Sequence, residues 1–160
     1  MTFQTADLCD DNSNELQVIG SEFKSYGKSH SFSGPICTVK VFEDNVLVSH
    51  ALESIPAGNV LVIDGGGSKK CALLGDRLAR IAESRNLAGI IINGCIRDSK
   101  DLSLLDIGIL ALGSNPLKSK KEGTGEEDIP LFFLGVDWHP GDYVYVDEDG
   151  LVISKRKLID

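Results

Sequence analysis

The sequence predicts an α/β fold, a mixed sheet that is parallel at its centre and extended by antiparallel β additions. Three continuous apolar runs, 59–64, 88–93 and 107–112, are rich in Val, Ile and Leu. Strands buried on both faces read this way, because neither face alternates with solvent. A helical pattern separates the first two runs and a single turn separates the second from the third. Strand, helix, strand, turn, strand is the rhythm of right-handed parallel crossovers. Past residue 128 the pattern changes to short strands joined by turns, which supplies the antiparallel part.

Taken in order, 36–42 alternates apolar and polar side chains and is expected as a strand. Glu43, Asp44 and Asn45 follow as a turn or helix start, and 46–52 as a short helix closed by Pro56, Ala57 and Gly58. After the strand at 59–64, Gly65, Gly66 and Gly67 break the chain. The next helical pattern places Leu74, Leu78, Ile81 and Ala82 on one face, with Arg77, Arg80, Glu83 and Arg85 around it. Residues 94–98 are expected as a loop and 101–106 as one helical turn. Residues 116–128, rich in Lys, Gly, Glu and Ser, read as an exposed loop within one domain covering 1–160. Residues 130–134 and 143–146 read as strands, and the turn Asp147, Glu148, Asp149, Gly150 leads into 151–154 as a hairpin. Trp138, Phe132 and Phe133 are assigned to the core.

Composition narrows the class. A chain of 160 residues with 42% apolar and 25% charged content can bury a core without disulfides. The first 17 residues have no basic region or apolar core, and no apolar run is long enough to cross a bilayer. Cys9, Cys37, Cys71 and Cys95 are scattered with no Cys-x-x-Cys pair, as expected of free thiols in a reducing compartment. These features point to a soluble, cytoplasmic protein. The net charge of −8 argues against direct nucleic-acid binding, since phosphate contacts need basic surface. It also requires any acidic ligand to be held by a local basic cluster.

Ligands of parallel sheets bind outside the carboxyl ends of the strands. Two loops leave such ends, 65–68 and 94–98, and they are expected to lie side by side. Gly65 to Ser68, together with Arg97 and Asp98, then form one site for an anionic ligand and a metal. Ser68 could cap the following helix, leaving Gly75 inside it at a cost of about 1 kcal/mol. Alternatively Gly75 marks the break and Asp76 opens the helix, leaving the amides of Asp76, Arg77 and Leu78 to meet a carboxylate or phosphate. The second reading is preferred, because a glycine inside the helix has no evident purpose. On spacing alone Asp76 and Arg80 also read as a surface pair, and Arg97 with Asp98 as a solvated turn. Lys69 and Lys70 read as solvated, though they would supply the local positive field that an acidic ligand needs. His30, His50 and His139 lack metal-ligand spacing. The glycine run fits neither nucleotide fingerprint, and no acyl-transfer nucleophile is evident.

Several segments, taken together, resemble one family. These are Asp64 to Ser68; Ala72, Leu73, Leu74, Gly75 and Asp76; Leu78 and Ala79; Gly94, Cys95, Ile96, Arg97 and Asp98; and Leu105 to Gly108. They resemble the family of the regulator of ribonuclease activity A, whose enzymatic branch contains the 4-hydroxy-4-methyl-2-oxoglutarate aldolases. The resemblance runs from Asp7, Leu8, Cys9 and Asp10 through Ser33, Gly34 and Phe42 to Asn45, and on to the end of the chain.

The resemblance implies a three-layer β/β/α swivelling-type domain, a homotrimer or dimer of trimers, and a divalent cation, Mg²⁺ or Mn²⁺. It implies a class II-type aldolase that cleaves 4-hydroxy-4-methyl-2-oxoglutarate and the related 4-carboxy-4-hydroxy-2-oxoadipate to pyruvate and also decarboxylates oxaloacetate. Within the family pattern Gly75, Asp76, Arg77 and Leu78 hold the pyruvyl part of the 2-oxo acid substrate. Arg97 contacts substrate and Asp98 ligates the metal. Asp76, acting through a bound water, is the candidate base for the 4-hydroxyl. The regulator branch, which binds a ribonuclease and dampens RNA decay, lacks the acid matching Asp98 and the glycine matching Gly75. This sequence keeps both, which favours the enzyme over a ribonuclease-binding module. Longer aldolases add a C-terminal extension that supplies an acidic residue across the subunit boundary, and nothing here matches it.

Overall fold

A computed structural model describes residues 2–159. The elements run α1 (Thr5–Asp11), β1 (Gln17–Ile19), β2 (Lys24–Ser25), β3 (Phe32–Lys40), α2 (Val46–Ser54), β4 (Val60–Asp64), β5 (Ala72–Leu74) and α3 (Asp76–Ser84). They continue with β6 (Gly89–Ile96), α4 (Ser99–Leu102), β7 (Gly108–Ser114), β8 (Glu126–Glu127), β9 (Leu131–Phe133), β10 (Val136–Trp138), β11 (Tyr143–Asp147) and β12 (Gly150–Ser154).

The fold is mixed α/β, built on a large mixed sheet with few helices. The sheet order is β1-β12-β11-β3-β4-β6-β7-β2, with β5 added to β6 and β8 to β3. β3, β4, β6 and β7 are parallel, and the remaining pairings, apart from β5 on β6, are antiparallel. The apolar runs at 59–64, 88–93 and 107–112 are therefore the central parallel strands, as their composition requires. β3 joins the two regions. Its first half, Phe32 to Pro35, pairs with β11, and its second half, Ile36 to Lys40, pairs with β4. Pro35 lacks an N–H to give to a ladder and sits where the strand passes from one partner to the other.

Each central strand divides its side chains between two cores, as the alternation of a pleated strand dictates. Leu61, Ile63, Ile90, Ile92 and Ile109 face the helices, meeting Val48 and Leu52 of α2, Leu78 and Ala82 of α3, and Leu102 of α4. Val60, Val62, Ile91 and Leu110 face the opposite way, against Trp138, Phe133, Val144, Val146, Leu151 and Ile153. Trp138 and Phe133 stack at 4.7 Å between ring centroids. Phe132, assigned to the core from its type, instead points outward and is 67% exposed. The strand alternates, and only Leu131 and Phe133 face inward.

Other departures have local causes. β6 continues to Ile96, where a loop was expected from residue 94, because β5 pairs with its far end (Ala72 with Cys95, Leu74 with Ile96). Leu74 accordingly lies in a strand and not on the helical face that its spacing suggested. The hairpin of β9 and β10 turns at Leu134 and Gly135, both at positive φ, and was not evident from the sequence. Among the described residues no helix is long and apolar enough to cross a membrane. All four cysteines are free thiols, as expected, with Cys71 and Cys95 buried.

Gly89 of β6 and Gly108 of β7 are register partners, and the Phe32 ring lies over both. A Cβ on Gly108 would fall 2.0 Å from a ring carbon. Gly108→Ala is therefore expected to cost about 1–3 kcal/mol by overpacking, read as a lower urea midpoint. An unchanged midpoint would show that the ring moves aside freely.

Candidate active site

The carboxyl ends of β5 and β6 open onto a small cavity of about 60 Å³. Gly75, Asp76, Arg77 and Leu78 form one side of it, and Arg97 and Asp98 another. The six residues singled out in the sequence therefore meet in one place. The helix begins where the preferred reading put it. α3 starts at Asp76, with Gly75 as its N-terminal flanking residue.

Gly75 has an ordinary extended backbone, with φ −129° and ψ −169°. Its value is steric. A Cβ there would lie 2.7 Å from Asp98 Oδ2 and 3.4 Å from Arg97 Nε. Only glycine lets the β6 terminus close on the start of α3, and Asp98 uses that approach. Its Oδ2 accepts the Asp76 N–H at 2.9 Å. A carboxylate at a helix N-terminus is favoured by the unpaired amides and the helix dipole. Asp98 itself sits in the left-handed region, φ 59° and ψ 38°, which an Asp tolerates better than most side chains.

This hydrogen bond corrects one expectation. The Asp76 amide is not available to a ligand, because Asp98 takes it. Among the described residues the Arg77 and Leu78 N–H groups have no acceptor, so two of the three expected donors remain. The Asp76 side chain makes the i, i+4 pair that its spacing suggested, 3.5 Å from Arg80 Nε, and lines the cavity as well. The two readings of Asp76 hold together.

A second expectation fails. Gly65 to Ser68 do not line the cavity. The N–H groups of Gly65 and Gly67 both donate to the Asn93 carbonyl, at 3.0 and 3.1 Å, and the Gly66 N–H to Asp64 Oδ1 at 2.9 Å. These amides are consumed by the fold, and the extension of β6 carries Arg97 and Asp98 past the glycine loop. The expected positive field from Lys69 and Lys70 also comes from elsewhere, since neither lines the cavity and Lys118 and Lys121 do. They belong to the stretch expected as an exposed loop. It is exposed as expected, apart from Ser119, and its start runs along β5, with the Ala72 N–H donating to the Leu117 carbonyl at 2.8 Å. The only sequence signal for this was the lysine content of residues 118–121.

Four cations (Arg77, Arg97, Lys118 and Lys121) thus face two carboxylates around one small opening. In a chain of net charge −8 this is the local basic cluster that an acidic ligand requires. The donors suit a hard cation bound loosely. Among the described residues no three His, Cys, Asp or Glu side chains gather as a metal cage, but Asp98 Oδ1 is free of the helix bond. Mg²⁺ commonly takes one or two protein carboxylates and completes its shell with water and substrate oxygens. His50 plays no part, being bonded through Nδ1 to Glu127 at 2.7 Å.

A parallel-centred sheet with an amide pair, an arginine and a carboxylate at its strand ends defines a class of small-anion sites. The family model for RraA-like proteins (Aldolase/RraA) matches residues 5–153, and the chain belongs to that family. It is 58% identical over 156 residues to a Bacillus cereus protein named, provisionally, 4-hydroxy-4-methyl-2-oxoglutarate aldolase, with 98% of each chain covered. It is similar to a Geobacillus kaustophilus structure described as an S-adenosylmethionine:2-dimethylmenaquinone methyltransferase (TM-score 0.96, 58% identity, 98% and 97% covered). It is also similar to the RNA-processing inhibitor RraA of Thermus thermophilus (TM-score 0.95, 45% identity, 99% and 96% covered).

Gly75→Ala should push Asp98 off the helix terminus and displace Arg97, cutting catalysis at this site by about 100-fold or more. Stability should change little, because Gly75 is only half-buried. Rates within threefold of wild type would show that the close approach is unnecessary.

Proposed function

We propose that the chain is a metal-dependent aldolase of 2-oxo acids, cleaving 4-hydroxy-4-methyl-2-oxoglutarate or 4-carboxy-4-hydroxy-2-oxoadipate and decarboxylating oxaloacetate. The observation that carries this reading is the meeting of the free Arg77 and Leu78 amides, Arg97 and Asp98 around one cavity.

Both reactions break the C3–C4 bond and pass its electron pair into the C2 carbonyl, giving pyruvate enolate. In aldol cleavage the 4-hydroxyl loses its proton and C4 becomes a carbonyl. In decarboxylation C4 leaves as carbon dioxide. The enolate then takes a proton at C3. A divalent cation at Asp98, Mg²⁺ or Mn²⁺, would supply Lewis acidity toward the 2-oxo group. The protein's own groups do the rest. The Arg77 and Leu78 amides hold the C1 carboxylate at the start of α3. Arg97, lying over Gly75, faces the oxygen on which negative charge develops, where its attraction is strongest in the transition state. Asp76 accepts the 4-hydroxyl proton. Lys118 and Lys121 meet the carboxylate on C4.

In this reading the layering is of the β/β/α swivelling type. The chain works as a homotrimer or dimer of trimers, supported by exposed Phe42, Leu117 and Phe132 (62%, 61% and 67%). The buried free thiols support a cytoplasmic setting. A second reading, a regulator docking its acidic surface on a basic segment of a ribonuclease, is favoured by the likeness to the Thermus RNA-processing inhibitor. A salt-sensitive pull-down that survives Asp98→Ala would support it.

Oxaloacetate decarboxylation and hydroxymethyl-oxoglutarate cleavage are expected with Mg²⁺ and not with EDTA, using Asp98→Ala protein as the blank for metal-only decay. Turnover no faster than that blank would refute the aldolase reading. Asp76→Asn is expected to slow aldol cleavage by about 100-fold and decarboxylation by much less, because only the former needs a base to break the bond. Equal losses would remove Asp76 from that role.

A further inference from the structure

The segment that carries Lys118 and Lys121 is anchored by backbone bonds up to Lys120, whose N–H donates to the Glu43 carbonyl at 2.9 Å, and beyond Lys121 by one buried carboxylate. Asp44 is 1% exposed, and the reaction described above does not use it. Its Oδ2 accepts the N–H groups of Glu122 at 2.8 Å, Gly123 at 3.0 Å and Thr124 at 3.5 Å, and the Thr124 hydroxyl at 3.4 Å. Its Oδ1 accepts the Val46 N–H at 3.1 Å, in the first turn of α2. Residues 121–128 are exposed throughout, so hydrogen bonds and not packing fix their path.

The next residue carries the restraint to the cavity. Asn45 lines the cavity, and its Oδ1 accepts a hydrogen bond from Lys121 Nζ at 3.0 Å. Its Nδ2 donates to the Leu73 carbonyl of β5 at 3.2 Å. Asp44 therefore fixes the backbone after Lys121, and Asn45 fixes the ammonium relative to the strand beside the cavity.

Burial pushes the Asp44 carboxyl pKa up, but the N–H bonds from Val46, Glu122, Thr124 and Gly123 outweigh burial and leave it below the usual 3.8. Asp44 is charged at neutral pH, with Oδ2 filled by donors from the stretch that walls the cavity with lysines and Oδ1 by the start of α2.

We propose that Asp44 and Asn45 are positioning residues for substrate selection, holding Lys121 over the cavity as the receptor for a carboxylate on C4 of the 2-oxo acid. This rests on the aldolase reading. The two halves of the substrate then have separate supports. The pyruvyl half meets the Arg77 and Leu78 amides and Arg97, none of which Asp44 holds. The C4 carboxylate meets a lysine whose place depends on Asp44 and Asn45.

The test compares Asp44→Asn, Asn45→Ala and Lys121→Met in steady-state cleavage of 4-hydroxy-4-methyl-2-oxoglutarate, with pyruvate as a product inhibitor. Each variant should raise KM about tenfold or more, the loss of one charge-assisted hydrogen bond. The pyruvate inhibition constant should stay within about twofold. In a Lys121→Met background Asp44→Asn should add nothing further, because it acts through the lysine. A parallel loss of pyruvate affinity, or full additivity of the two substitutions, overturns the proposal. Asn45→Ala leaves Asp44 in place and carries the comparison if Asp44→Asn does not fold. Wild-type protein that neither cleaves the substrate nor binds pyruvate would instead remove the aldolase reading itself, which the variants alone would not do.

Discussion

One hydrogen bond, from the Asp76 N–H to the Asp98 carboxylate, ties the end of a buried strand to the start of a helix. The contact can form only because Gly75 has no Cβ to obstruct it. Everything the candidate site offers is arranged about this junction. The bond turns one Asp98 oxygen inward and leaves the other free, and it sets Arg97 across the glycine. It also leaves the Arg77 and Leu78 amides as the unpaired donors of α3. A helix terminus, a carboxylate and a guanidinium are thus fixed relative to one another by backbone geometry, so little reorganisation is needed when a charged ligand arrives.

The junction depends in turn on the sheet. β6 runs three residues beyond Asn93, its last partner position on β4, because β5 returns alongside it and supplies a ladder there. β7 flanks the same stretch on its other side, pairing Gly113 with Cys95 and Ser114 with Ile96. The extension moves the functional end of the strand outward, and the glycine loop becomes structural, its amides spent on Asn93 and Asp64.

These dependencies separate what the sequence made legible from what it did not. The parallel strands were readable because burial on both faces leaves an unbroken apolar run, and the helix start was readable because Gly75 and Asp76 have local signatures. The resemblance named Arg97 and Asp98 through a motif, and their meeting with Gly75 to Leu78 followed. Three residues of β5 carried no distinguishing pattern, since Ala72, Leu73 and Leu74 serve a helix as well as a strand. The wall formed by Lys118 and Lys121 was hidden for another reason. Its path is set by bonds from Asp44 and β5 to backbone amides and carbonyls, and such bonds leave no trace in the side chains of the segment they hold.

Charge completes the argument. A molecule of net charge −8 repels an acidic ligand on average, and the four cations around the cavity oppose that field locally. Two of them, Arg77 and Arg97, stand on or beside regular elements that the core locks in place. The other two stand on an exposed segment that has no core of its own. A lysine there is useful for recognition only if its backbone is held, because an untethered ammonium gives up to solvent and rotamer freedom most of what it gains from a carboxylate. Pairing with β5 meets this need at Lys118, and at Lys121 it is met by the backbone bonds of Lys120 on one side and the buried Asp44 on the other. The isolation of Asp44 from the cavity also explains how the far end of a substrate could be recognised without disturbing the helix-end geometry that serves the near end.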